Sequence, residues 1–340
     1  MTDSLPPSPI SCDLDLARDG AQHGFLRLPW SRDDSAWGAV MIPISVIRNG
    51  AGPTALLTAG NHGDEYEGLI ALHDLAATLD PAQITGRIII LPAMNAPAFR
   101  AGTRTSPIDG GNLNRLFPGR PDGTPTQKIA DYVTRHLLPL ADCVLDFHSG
   151  GRTLDFLPLA ACHILPDKAL EARCREAVAA FGAPYALQMI EMDAVGMFDT
   201  TAEAMGKTFV TTELGGAGTA TPRSIAIAKR GLRGFLAQAG ILAGDEGATT
   251  QAAWPETIWL DMPDGDCFLV SQEEGLIEPL VTLGDPVMRG DVVARIYPFG
   301  RSGRMPLSCH ARRDGIVMAR HVPGLVKPGD CIAVFAVPVS

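Results

Sequence analysis

The stretch Gly60-Asn61-His62-Gly63-Asp64-Glu65-Tyr66-Glu67-Gly68 lies between an apolar run, residues 54–58, and a helical pattern, residues 69–75. His62 and Glu65 therefore stand where a buried strand hands over to a helix. An imidazole and a carboxylate three residues apart at such a turn can reach one metal ion. The competing reading is a capping pair, with Glu65 in the first turn of the helix and favoured there by the helix dipole. Gly60, Gly63 and Gly68 tilt the balance, because they allow a sharp turn and close backbone approach to a ligand.

A hydrolytic zinc site needs two further groups, a third ligand and a general base. Both candidates also follow apolar strand patterns. His148 stands in Val144-Leu145-Asp146-Phe147-His148-Ser149-Gly150-Gly151, and Glu213 in Thr208-Phe209-Val210-Thr211-Thr212-Glu213-Leu214-Gly215-Gly216. Asp146 shares a strand face with His148 and can hold one imidazole N–H, fixing the tautomer. Glu213 reads as a base beside an activated water, its pKa raised by partial burial. Without that partner it reads as a cap or a salt-bridged acid at the sheet edge. Arg104 and the loop Asp109-Gly110-Gly111-Asn112-Leu113-Asn114-Arg115 offer two guanidinium groups and amide donors suited to a carboxylate. Alone, that loop reads as solvated surface.

The elements that must position these groups alternate along the chain. Strand patterns fall at residues 40–46, 54–58, 87–91, 143–147, 186–190 and 208–212, and helix patterns at 65–79, 126–137, 168–181 and 222–239. Thr221 and Pro222 read as the N-cap and first turn of the last helix. This alternation predicts an α/β fold with a mostly parallel or mixed sheet covered on both faces. The chemical motifs fall at C-terminal ends of strands, where open α/β sheets bind ligands. Residues 240–254 change to Gly, Ala, Asp, Glu, Thr and Gln and read as a linker. Beyond it come short strands with regular turns, Val287-Met288-Arg289-Gly290-Asp291-Val292 among them. This region resembles the barrel-sandwich fold of biotinyl and lipoyl carrier domains. No Met-Lys or Asp-Lys pair occurs in it, so a swinging-arm role is not expected and a structural or site-lining role is. The division expected is 1–245 for an N-terminal lead-in and catalytic domain and 255–340 for an all-β domain.

Composition bounds the partners. The 340 residues are 46% hydrophobic and 19% charged, with a formal net charge of −10. Nucleic acid and anionic membranes both need a basic face, so neither is expected as a partner. No apolar run approaches the roughly 20 residues of a membrane span. The N-terminal residues are Ser/Pro-rich and acidic and lack the features of a signal peptide, which predicts a cytoplasmic location. The seven cysteines are scattered without a C-x-x-C pair, as in a reduced protein that uses them as small apolar residues. The sequence leaves a homo-oligomer open.

Together, His62-x-x-Glu65, the Asn114-Arg115 loop, Asp146-Phe147-His148 and Glu213-Leu214-Gly215 resemble the succinylglutamate desuccinylase/aspartoacylase family, over roughly residues 40–240. That resemblance implies a zinc-carboxypeptidase-like mixed sheet covered by helices. It implies one zinc ion on His62, Glu65 and His148, Glu213 as base, Arg104 at the scissile carbonyl, and Asn114 and Arg115 on the substrate carboxylate. The residues around the motifs are similar to one branch of the family, which deacetylates N2-acetyl-L-2,4-diaminobutanoate in ectoine breakdown. The expected function is thus zinc-dependent hydrolysis of a small N-acyl amino acid. The alternatives are a desuccinylase or aspartoacylase activity on another substrate, carboxypeptidase-like trimming, and a non-catalytic zinc protein. For a substrate with a side-chain ammonium, Glu191, Asp193 and Asp199 are the candidate carboxylates.

Overall fold

A computed structural model describes residues 6–189, 194–242, 256–300 and 302–339. Its centre is a mixed sheet. Thr54–Thr58 runs parallel to Gly86–Leu91 on one side and to Cys143–Asp146 on the other, and Thr208–Glu213 runs parallel to Cys143–Asp146. Leu159–His163 pairs antiparallel with Thr208–Glu213 and parallel with Tyr185–Met189. On the other flank Ala39–Asn49 and Gly20–Pro29 add antiparallel strands. All five residues of Thr54–Thr58 and all four of Cys143–Asp146 are buried, as expected of central strands covered on both faces.

Helices cover the two faces. On one side α1 (Glu67–Thr78) packs on the sheet through Leu69, Leu72 and Leu75. Two further helices, α4 (Lys168–Phe181) and α6 (Pro222–Gln238), join it around Phe147, Phe181 and Phe235. The opposite side is filled by Phe117, Tyr132, Phe198 and Phe209. It involves α2 (Ala96–Ala101), α3 (Pro125–Tyr132) and α5 (Phe198–Ala204). Thr221 caps α6 by accepting from the Ser224 N–H, with Pro222 at its start, as the sequence predicts.

Several boundaries differ from the pattern reading. Helix α1 begins at Glu67, so Glu65 lies before it, ahead of the N-cap Tyr66. Hydrophobic spacing cannot see this, because the polar residues ahead of Leu69 carry no periodicity. The 126–137 helix is α-helical only to Tyr132 and continues as a π turn over Val133–Leu137. Strands Gly20–Pro29, Leu154–Phe156 and Leu159–His163 and helices α2 and α5 were not expected; most are too short for a period to register. Residue 190 of one expected strand and residues 243–254 of the expected linker lie outside the described residues.

The C-terminal region holds a four-stranded antiparallel sheet with Gly275–Pro279 and Val292–Tyr297 at its centre. Strands Gly315–His321 and Cys331–Pro338 pair with each other. This region is stitched to the central sheet. Ile258–Asp261 runs parallel to Tyr185–Met189 and antiparallel to Cys331–Pro338, while Gly315–His321 pairs with Leu154–Phe156. Among the described residues no helix is long and apolar enough to cross a membrane.

The start of α1 rests directly on the strand that leads to His148. A Cβ added at Gly68 would lie 2.1 Å from Cβ of Phe147. Gly68→Ala should therefore destabilise the fold by about 1–3 kcal/mol through overpacking. Chemical denaturation measures this, and an unchanged midpoint would contradict the packing described.

Candidate active site

Thr54–Thr58, Cys143–Asp146 and Thr208–Glu213 are adjacent and parallel, with Thr58, Asp146 and Thr211 in one register row. Their C-terminal ends therefore open at one place, and the three motifs leave the sheet together. From Thr58 the chain turns at Gly60, whose φ of 66° favours glycine. The Gly63 N–H donates to the Thr103 carbonyl at 2.9 Å, tying this turn to the segment that carries Arg104.

The structure brings His62, Glu65 and His148 together. All three are buried, and one potential ligand atom from each lies within 4.8 Å of the others. His62 Nδ1 is 2.7 Å from Glu65 Oε1, and His148 Nδ1 is 3.0 Å from Glu65 Oε2. The outer ring nitrogens have acceptors of their own. His62 Nε2 lies 3.1 Å from Asn112 Oδ1, and His148 Nε2 lies 2.9 Å from Asp146 Oδ2. These oxygens accept, so each Nε2 carries a hydrogen and each Nδ1 turns inward toward Glu65. The Arg104 guanidinium, donating to His62 Nδ1 at 3.3 Å, agrees with that tautomer. Glu65 is thus not a first-turn cap; it faces two imidazoles and accepts the Ser149 N–H at 3.1 Å.

Charge explains the fit to a cation. Burial works to raise the Glu65 pKa, but the two imidazoles outweigh it and hold the carboxyl below its usual range. Burial likewise works against charge on His148, and Asp146 and Glu65 outweigh it, raising the ring well above its ordinary value. Asp146 is itself held by the Thr58 hydroxyl at 2.6 Å and by the Asn61 amide at 3.4 Å. Asp64 and Glu67 are also buried beside Glu65. Asp64 Oδ1, Glu67 Oε2 and Glu213 Oε2 are buried oxygens without hydrogen-bond partners among the described residues. Within this acidic, buried surrounding, two imidazole nitrogens turned to one carboxylate form a donor set that suits a metal cation.

Glu213 is the last residue of its strand, placed by the Leu214 N–H on the His148 carbonyl at 3.2 Å. The residue as a whole is half-buried, but loss of solvent around the carboxyl pushes its pKa up to about 8. The negative charge of Glu65 adds to that, against the pull of His148 and Arg104. Arg104 is 3.6 Å from Glu65, with half of its side chain in solvent.

The second loop is near but arranged differently from a simple carboxylate clamp. Asn114 is buried, and its Oδ1 accepts the Phe198 N–H at the start of α5 at 3.2 Å. Arg115 is exposed and donates to the Asn114 carbonyl at 2.9 Å. Asn112 in the same loop, which the sequence did not single out, reaches His62. Nothing in the sequence distinguishes one loop asparagine from another, so only the three-dimensional arrangement identifies it. Asp199 lies at the start of α5, 3.9 Å from His163 Nε2, beside Glu203. Glu191 and Asp193 lie outside the described residues.

Comparison with known proteins agrees with this geometry. Residues 51–239 match the family model described as the succinylglutamate desuccinylase/aspartoacylase catalytic domain. The chain is 56% identical to an N-alpha-acetyl-L-2,4-diaminobutyric acid deacetylase of Halomonas elongata, over 97% of this chain and 95% of that one. The product-bound structure of the ectoine utilization protein EutE (DoeB) from Ruegeria pomeroyi superposes with a TM-score of 0.94 at 60% identity. That match covers 98% of this chain and 100% of the other. A succinylglutamate desuccinylase/aspartoacylase structure from Rhodobacter sphaeroides gives 0.92 at 40% identity, over 98% and 100%. The buried His-Glu-His cluster at two adjacent strand ends and these likenesses lead to one conclusion: the chain belongs to the succinylglutamate desuccinylase/aspartoacylase family.

Proposed function

We propose that this protein is a zinc-dependent deacetylase that hydrolyses N2-acetyl-L-2,4-diaminobutanoate to acetate and L-2,4-diaminobutanoate. The observation that carries the chemistry is the triad His62, Glu65 and His148, with both Nδ1 atoms turned to one carboxylate. The substrate rests on the likeness to the Halomonas elongata deacetylase and to EutE.

His62, Glu65 and His148 would hold zinc, with Asn112 and Asp146 fixing the two rings from outside. When bound, zinc supplies a Lewis acid that polarises the acetyl carbonyl and acidifies water. Glu213 takes a proton from the attacking water, whose oxygen forms the new bond to the acetyl carbon. The same carboxyl returns the proton to the amide nitrogen as the C–N bond breaks. Its raised pKa suits the second task, since a carboxyl that holds its proton more firmly can still deliver it to an amine. Arg104 stands beside the ligand cluster and places positive charge where the carbonyl oxygen gains negative charge. Arg115 and Asn114 are assigned to the substrate carboxylate, Arg115 from the exposed side of the loop.

Metal removal should abolish activity and added zinc should restore it. His62→Ala should lose bound zinc, as elemental analysis can show; a variant that keeps one tightly held zinc would remove His62 from the ligand set. Glu213→Gln is close in shape but cannot accept the proton. It should keep zinc and KM while kcat falls by about 10²–10⁴. Near-parental turnover in that variant would exclude Glu213 as the base.

The pH dependence has a defined sign. A base must be ionised, so kcat/KM falls as pH drops through the Glu213 pKa. A dication nearby stabilises the carboxylate, which places this acid limb below the value of about 8 that burial and the neighbouring protein charges set. A pH–rate profile of the zinc-loaded enzyme with its acid limb at 8 or above would contradict the assignment.

Substrate choice is read from kcat/KM on N2-acetyl-L-2,4-diaminobutanoate, N-acetylaspartate and N-succinylglutamate. The first should be preferred, and its carboxyl ester should be poor. Preference for either dianion would overturn the diaminobutanoate assignment and leave the zinc deacylase reading standing.

A further inference from the structure

The mechanism above makes no use of Asp64, yet this side chain is only 6% exposed and its Oδ1 is buried without a hydrogen-bond partner among the described residues. A carboxylate kept in such a place is unfavourable unless it does something an apolar residue could not. Because Oδ1 is shut off from solvent, a substrate group has no route to it. Its partners are all protein. Asp64 Oδ2 accepts the Arg152 N–H at 2.9 Å. Gly151, with φ 55°, brings its backbone against the same carboxylate; a Cβ there would lie 2.7 Å from Oδ2. Only glycine allows that approach without strain.

Both ends of this contact are anchored. On the Asp64 side, a Cβ added at Gly63 would lie 2.0 Å from the Ala98 carbonyl carbon, so the turn has no room to shift. On the other side, the loop of residues 149–152 is laced to the segment that follows Glu213. The Gly150 N–H donates to the Gly215 carbonyl at 3.0 Å, and the Gly218 N–H to the Gly151 carbonyl at 2.7 Å. A continuous path of short hydrogen bonds thus runs from the His62–Glu65 turn, through Asp64 and the loop after His148, to the turn after Glu213. Glu65 makes a parallel tie by accepting the Ser149 N–H, but its oxygens already face two imidazoles. Asp64 supplies a tie that draws on no ligand atom.

We infer that Asp64 is a positioning residue, pinning the 149–152 loop to the ligand turn and so fixing the distance between Glu213 and the His62–Glu65–His148 cluster. The inference rests on the zinc deacetylase reading for its kinetic consequence, and on geometry alone for its structural one.

The test compares Asp64→Ala, Asp64→Asn and the parent as zinc-loaded full-length enzymes, and again with cobalt in place of zinc. Asp64→Ala should keep metal stoichiometry and KM within about two-fold while kcat falls about 10–100-fold, the scale of misplaced catalytic groups and lost outer partners of metal ligands. The visible absorption bands of its cobalt form should shift. Asp64→Asn keeps an oxygen acceptor for the Arg152 N–H and should recover most of kcat and the parental bands. If Asp64→Ala is recovered only unfolded, Asp64→Ser, polar but too short to reach Arg152, takes its place with the same expected losses. A variant with lowered Tm but parental kcat and cobalt bands would overturn the inference, as would Asp64→Asn as slow as Asp64→Ala. Should the parent itself lack deacetylase activity, the proposed function fails, and the cobalt bands still decide the role of Asp64.

Discussion

The centre depends on one buried carboxylate shared by two imidazoles. Glu65 meets Nδ1 of His62 with one oxygen and Nδ1 of His148 with the other. His62 and Glu65 share one turn, but His148 comes from a distant stretch of chain, so the shared contact forms only after the sheet has set its strand order. The order does so by making Thr54–Thr58 and Cys143–Asp146 parallel neighbours in register. Asp146 then serves both ends of the problem. It takes the Thr58 hydroxyl across the strand gap and the His148 ring beyond the strand end. The same carboxylate that fastens two strands aims one imidazole.

Much of this is legible in the sequence because chemistry and periodicity mark the same places. His62, Glu65, His148 and Glu213 each follow a run of apolar residues, and central strands have to be apolar on both faces. The alternation of periods 2 and 3.6 likewise gives the α/β class. Other features leave no such trace. Asn112 is one of several polar residues in a loop, and its contact with His62 spans 50 positions. Leu154–Phe156 has three residues, fewer than a period needs to show. Asn114 reads as a loop donor in the sequence; that its Oδ1 also accepts the Phe198 N–H at the start of α5 is a contact set by tertiary packing.

Loop glycines carry more of the site than their lack of side chain suggests. Gly63, Gly151 and Gly216 all lie where a Cβ would strike backbone or a buried carboxylate. Three loops from three strands converge there, and only bare backbone lets them share hydrogen bonds at such short range. Rigidity at the site comes from this close lacing, which is how groups on loops can be held as well as groups on strands.

The pairing of Ile258–Asp261 with Tyr185–Met189 has a consequence for the chain as a whole. It caps what would otherwise be the open margin of the central sheet, and Cys331–Pro338 caps it in turn. A chain cut ahead of Ile258 would present a row of unpaired N–H and C=O groups along Tyr185–Met189, with Leu187 and Ala186 buried beside them in the intact protein. Such a margin is a template for another chain. The C-terminal region therefore guards against self-association by strand addition, a protection the rest of the molecule receives whatever else that region does.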